Sequence, residues 1–180
     1  MDIEEEKASS IPNLAQLENV RVGWVQCEFA LDWVSSEESM GASWIVKDDR
    51  GKVLLHSRRA FVEVGSLREA QLILWLWVLE SMQSLRKKKV RFVSSFEDLN
   101  DAIGKPSVRP VLSFEVGEIR RELEAFEAWE LRIGPWNTIR CASFIAQSVR
   151  NLGFTQSYVA AGHPGWLDRF YTNDRGASDD

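Results

Sequence analysis

Gly23-Trp-Val-Gln-Cys-Glu-Phe-Ala-Leu-Asp-Trp33 has two faces. Val25, Cys27, Phe29 and Leu31 fall on one side of a two-residue period, and Gln26, Glu28, Ala30 and Asp32 fall on the other. Successive strand residues point to opposite faces, so the spacing predicts a half-buried β-strand over about residues 21–33, apolar on one side and acidic on the other. Carboxylates beside a small residue suit either half of a metal site or the polar edge of a sheet. The residues around the strand decide between them.

Downstream, Gly41-Ala-Ser-Trp-Ile-Val-Lys47 reads as a second strand, Asp48-Asp-Arg-Gly51 as a tight turn, and Lys52 to Phe61 as a returning third strand. Together they predict an antiparallel meander. Ser66 and Glu69 form the start of a capping box, and the run from Leu67 to Leu85 is apolar nearly all round, which predicts a central buried helix. Arg86-Lys-Lys-Lys89 closes it and reads as a solvated helix end, with a phosphate-binding patch as the alternative. Val90 to Val93 is a fourth strand, Phe96 to Ile103 a short helix, and Gly104 to Pro110 a loop. Val116, Ile119, Leu123 and Phe126 mark an amphipathic helix. Trp129 to Ile133 is a fifth strand, and Ile139 to Leu152 a last helix closed by Gly153.

With 180 residues, 44% of them hydrophobic, the chain can bury one core. Residues 1–19 read as a disordered acidic leader, 20–153 as the domain, and 154–180 as a tail that packs in part and is then disordered. The net charge of −5 resides in the ends. Residues 1–19 hold five acids against Lys7 and residues 168–180 hold four against two arginines, which leaves the middle at +1. That balance neither predicts nor excludes a polyanion ligand. The apolar runs fall far short of the roughly 20 residues of a membrane span, and no signal peptide is evident, so a soluble intracellular monomer is expected. Cys27 and Cys141 lie in apolar patterns, as buried free thiols do. His56 and His163 each stand alone in the sequence, with no readable serine and acid partners, and the eight tryptophans read first as core.

The order of elements can now be combined with particular runs. Gly41-Ala-Ser-Trp-Ile-Val-Lys-Asp-Asp-Arg-Gly-Lys-Val-Leu54, Arg58-Arg-Ala60, Glu69-Ala70 and Ala142-Ser-Phe-Ile-Ala-Gln-Ser-Val149 carry a resemblance over residues 22–152. The chain resembles the ribonuclease H-like domain of plant reverse-transcriptase-related proteins. Ser157-Tyr-Val-Ala-Ala-Gly-His-Pro-Gly-Trp-Leu167 is similar to the tail of a group of them derived from non-LTR retroelements. The resemblance implies an α/β fold in three α/β/α layers, with a five-stranded mixed sheet and helices on both faces.

It also implies a site. Active members hold two magnesium ions roughly 4 Å apart with four carboxylates and cleave the RNA of an RNA–DNA hybrid. Those positions fall on Ala30, Gln71, Ser95 and Ser143, none of them acidic. Magnesium demands hard oxygen ligands, so no catalytic residue and no metal ligand is expected, and Mg2+ only if the family activity is retained. Asp32, Glu69, Glu97 and Asp98 are the nearby acids. Asp32 lies about 6.6 Å beyond Ala30 along the strand, and Glu69 points away from Gln71 on the helix. Trp33, Trp136, Asn137 and Arg140 are the candidate nucleic-acid contacts, at the ends of the first and fifth strands. Three functions follow: a nucleic-acid-binding domain for RNA–DNA hybrid or RNA that no longer cuts, a protein-interaction domain on the same fold, or an active magnesium-dependent ribonuclease with a rearranged site.

Overall fold

The alternation of Val25 to Asp32 produces a strand, but one covered on both faces. The computed structural model describes residues 17–168, so the expected leader up to residue 16 and the chain beyond 168 lie outside the described residues. Strand β1 (Val25–Asp32) lies between β2 (Met40–Lys47), antiparallel to it, and β4 (Lys89–Ser94), parallel to it. Cys27 and Phe29 enter the larger core. Glu28 and Ala30 on the other face are buried as well, at 0% and 5% exposure. The expected half-buried strand is thus corrected to a central one. A helix far away in sequence, α4 (Trp136–Asn151), covers the side that looked polar.

The meander continues into β3 (Val53–Phe61) through the expected turn. Gly51 takes φ +80°, and the Asp48 carboxylate accepts from the Arg50 and Lys52 backbone N–H groups at 2.9 and 2.8 Å. Helix α1 (Leu67–Ser84) packs Leu74, Trp75, Val78 and Met82 against the sheet face opposite α4. Trp75 stands edge-on to Phe29 at 4.7 Å. At its start the Glu69 N–H donates to Ser66 Oγ at 3.1 Å, and the Glu69 carboxylate reaches back to the Gly65 N–H at 2.9 Å. The cap predicted from sequence forms, one residue wider than the standard box. Helices α2 (Glu97–Gly104) and α3 (Ser113–Leu123) complete this layer, and β5 (Ala128–Ile133) pairs parallel with β4.

The far end of α1 closes in a Schellman arrangement. Lys87 N–H donates to Met82 O and Arg86 N–H to Gln83 O, both at 2.9 Å. Arg86 sits at φ +56°, where glycine is ordinarily found. Arg86→Gly is therefore expected to raise stability by about 0.5–1 kcal/mol, read as a higher urea midpoint.

The sheet has six strands, one more than predicted, and a strand β6 (Tyr158–Ala161) completes the order β5-β4-β1-β2-β3-β6. Residues read as tail supply this strand, antiparallel to β3. Its four residues alternate between half-buried and exposed, too short a pattern to be legible without its partner. Three side chains of β3 hold it. Arg58 stacks on Phe154 and Tyr158 at 4.9 and 4.8 Å, Ser57 Oγ donates to Tyr158 O at 2.6 Å, and His56 Nδ1 donates to Gly162 O at 2.5 Å.

Burial pushes the His56 imidazole below its ordinary value. The charges of His163 and Arg58 act in the same direction, and the Gly162 hydrogen bond opposes them. The unfolded chain takes a proton near pH 6.5 while the folded imidazole resists it, so this contribution is complete above that pH and is lost as the pH falls through the folded value. Melting curves at about pH 7.5 and about pH 5.5 are expected to separate, and His56→Asn to narrow the gap.

Candidate nucleic-acid interface

Small residues let α4 lie directly on the backbone of β2. A Cβ at Gly41 would stand 1.9 Å from the Ala146 carbonyl oxygen, and Ser43 Oγ donates to the Ala142 carbonyl at 2.5 Å. Ala30 is paired with Ser43 across the strands and packs with Ile45, Val93, Ile139, Ala142 and Ile145. The environment of Ala30 is thus a sealed apolar cluster beneath a helix.

The other three positions implied by the resemblance are spread around this cluster. Gln71 is half-buried in the second turn of α1, Ser95 is exposed just past β4, and Ser143 is half-buried on α4. An amide, two hydroxyls and a methyl supply no negative charge, so this donor set does not fit a hard divalent cation. Three of the four nearby acids are engaged elsewhere, and the fourth, Glu97, is exposed. Asp32 holds Arg150 through both oxygens at 3.0 and 3.1 Å, which keeps the guanidinium pKa above its ordinary value. Glu69 caps α1, Asp98 pairs with Arg109 at 2.9 Å, and Glu97 lies in the exposed first turn of α2. Among the described residues no group of three or more His, Cys, Asp or Glu is placed to hold a metal ion.

The four candidate contacts divide into one residue and a group of three. Trp33 donates its indole N–H to Val64 O at 2.8 Å and packs against the α1-side core. Trp136, Asn137 and Arg140 come together at the start of α4. That helix begins three residues earlier than predicted because Pro135, at φ −64° and ψ 160°, leads straight into it. Trp136 is 60% exposed and lies edge-to-face on Phe144 at 5.8 Å. Arg140 is half-buried on the same stripe, one turn from each. The Asn137 side-chain oxygen, Oδ1, is buried and accepts no hydrogen bond among the described residues.

Comparison with solved structures bears on the fold. An RNase H1 from Halobacterium salinarum superposes with a TM-score of 0.61 at 13% identity, over 69% of this chain and 96% of that one. The fold is that of ribonuclease H. The N-terminal RNase H domain of a Mycobacterium tuberculosis protein gives 0.61 at 14% identity, over 72% of this chain and 94% of that one. A foamy viral protease–reverse transcriptase, solved in complex with an RNA/DNA hybrid, gives 0.53 at 7% identity, over 74% of this chain and 21% of that one. Neither a protein-family model nor a curated protein sequence matches the chain.

One feature of this ribonuclease H-like sheet was not legible from sequence: a polar band below Ala30, on the α4 face. Glu28 is fully buried, held by Lys47 Nζ at 2.9 Å and Gln26 Nε2 at 2.8 Å, while its other oxygen has no partner. Arg91 is almost as deeply buried and meets Glu130, Glu18 and the Gln26 carbonyl. A hydrogen bond to its own backbone and the charge of Arg91 hold the Glu18 carboxyl below its ordinary value. The register explains the band, since Gln26 pairs with Lys47 on one side and Arg91 on the other. Alternation within one strand cannot show which charges its neighbours will bring.

His56 is buried against β6, and His163 Nε2 bonds Asp168 at 2.6 Å. Cys27 and Cys141 are buried free thiols, as expected, and burial raises the Cys27 pKa well above its ordinary value. No helix among the described residues is long and apolar enough to cross a membrane.

Proposed function

We propose that this chain is a nucleic-acid-binding domain of ribonuclease H-like fold that takes an RNA–DNA hybrid or RNA and does not cut it. The observation that carries this reading is the replacement of all four expected carboxylates by Ala30, Gln71, Ser95 and Ser143, with Ala30 buried in an apolar cluster and three of the four neighbouring acids, Asp32, Glu69 and Asp98, committed to other partners. The hybrid bound by the foamy viral enzyme of the same fold supports the ligand class. The plant-like runs between Gly41 and Val149 support descent from a retroelement. Trp136 offers an exposed aromatic face for base stacking, with Asn137 and Arg140 beside it, and the domain acts as a monomer without a metal cofactor.

Binding of a short RNA–DNA hybrid, followed by fluorescence anisotropy, is expected to weaken steeply with salt, as phosphate contacts require. Trp136→Ala is expected to cost about 1–3 kcal/mol of that binding, the value of one stacked base, while leaving the melting temperature nearly unchanged. Absence of salt-dependent binding to hybrid, duplex RNA and single strands would overturn the reading. A protein-interaction domain is the second reading, favoured by Val111, just before α3, and Phe114, in its first turn, which stand 70% and 67% exposed.

A further inference from the structure

A pocket of about 290 Å³ opens where α1 turns into β4. Arg86, Lys87, Lys88 and Lys89 line it together with Gly23, Val25 and Glu127. Glu127 answers Lys89 at 3.6 Å. Among the described residues no carboxylate lies within ion-pairing distance of Arg86, Lys87 or Lys88. In a chain whose middle carries a net charge of only +1, this concentrates three uncompensated cations around one concavity.

A favourable interaction with the α1 dipole accounts for little of this. That effect fades beyond the last helical turn, and the last turn of α1 holds no basic residue; all four cations come after it. Arg86 also occupies a left-handed position that glycine would fill more comfortably. Mutual repulsion among these cations is relieved by a multivalent anion. The guanidinium fork matches two phosphate oxygens, and the lysines add mobile point charges.

We propose that this pocket binds a phosphate-bearing anion, at the opposite end of β1 from Ala30. Val25, where the strand begins beside the pocket, lies about 17 Å along β1 from Ala30, so the site is separate from the interface at Trp136. The phosphate comes from a nucleic-acid strand or from a free polyphosphate, and the two are separable.

Tripolyphosphate is titrated into the full chain and followed by backbone amide NMR, alongside short single strands with and without a 5′-phosphate. The amides of Gly23 and of residues 86–89 are expected to shift. The Lys87→Gln/Lys88→Gln double variant is expected to weaken tripolyphosphate binding at least about tenfold with an unchanged melting curve. Arg86→Gly is expected to melt higher and bind more weakly, a combination that a merely structural loop would not give. Competition by the oligonucleotides assigns the phosphate to a strand, and tripolyphosphate binding without competition assigns it to a free anion. Trp136→Ala is expected to leave tripolyphosphate binding unchanged, which separates this site from the hybrid-binding reading. Absence of shifts at these amides, or equal affinity in all variants, would overturn the proposal.

Discussion

Gly41→Ala is expected to lower the stability of the domain by about 3 kcal/mol, the upper end of what overpacking a core costs. The added Cβ would fall 1.9 Å from the Ala146 carbonyl oxygen, 2.9 Å from its carbon and 3.0 Å from Val149 Cβ. The first two are backbone atoms, so no rotamer change relieves the contact. Helix α4 must lift from β2, which loosens the packing around Ala30 and Ile145 and breaks the bond from Ser43 to the Ala142 carbonyl. The same substitution at Gly117 has the opposite sign. That glycine lies in α3 with nothing within 4 Å of an added Cβ, so Gly117→Ala is expected to stabilise by about 0.5–1 kcal/mol through helix propensity. Urea midpoints of the two variants, on either side of wild type, check both statements. A stable Gly41→Ala domain would mean that α4 does not rest on β2 as described.

Lys47→Met is expected to cost about 3 kcal/mol or more. Glu28 is completely buried and one of its oxygens has no partner, so Lys47 and Gln26 alone offset its charge. Removing the ammonium strands a carboxylate against Ile45 and Val93, its neighbours across β2 and β4. Replacing both partners, Glu28→Leu with Lys47→Met, is expected to recover most of the loss, because two apolar side chains leave no charge to desolvate. A double-mutant cycle in urea measures the coupling. Additive losses in the cycle would show that the pair does not act as a unit.

The fold was largely legible because its signals are local. The turn at Asp48 to Gly51, the cap at Ser66 and Glu69 and the apolar circumference of α1 each specify an element within a few residues. The misreadings depend on distant residues. The alternation in β1 correctly placed Glu28 and Ala30 on the face opposite Phe29, yet that face is buried because α4, more than 100 residues later, covers it. Strand β6 exists because Arg58, Ser57 and His56 hold four otherwise nondescript residues. The candidate interface was legible in part. Trp136, Asn137 and Arg140 gather at one helix start, whereas Trp33 is bound to Val64 by a backbone partner that no local pattern reveals.

Retention of a ribonuclease H-like platform without cleavage is most directly tested by incubating the purified chain with a labelled RNA–DNA hybrid in Mg2+ or Mn2+ and reading both the bound fraction and the length of the RNA. The expected result is a salt-sensitive complex whose RNA remains full length. Metal-dependent cleavage that survives in wild type and disappears in Asp32→Asn or Glu69→Gln would contradict the account, because it would return these acids to a catalytic site.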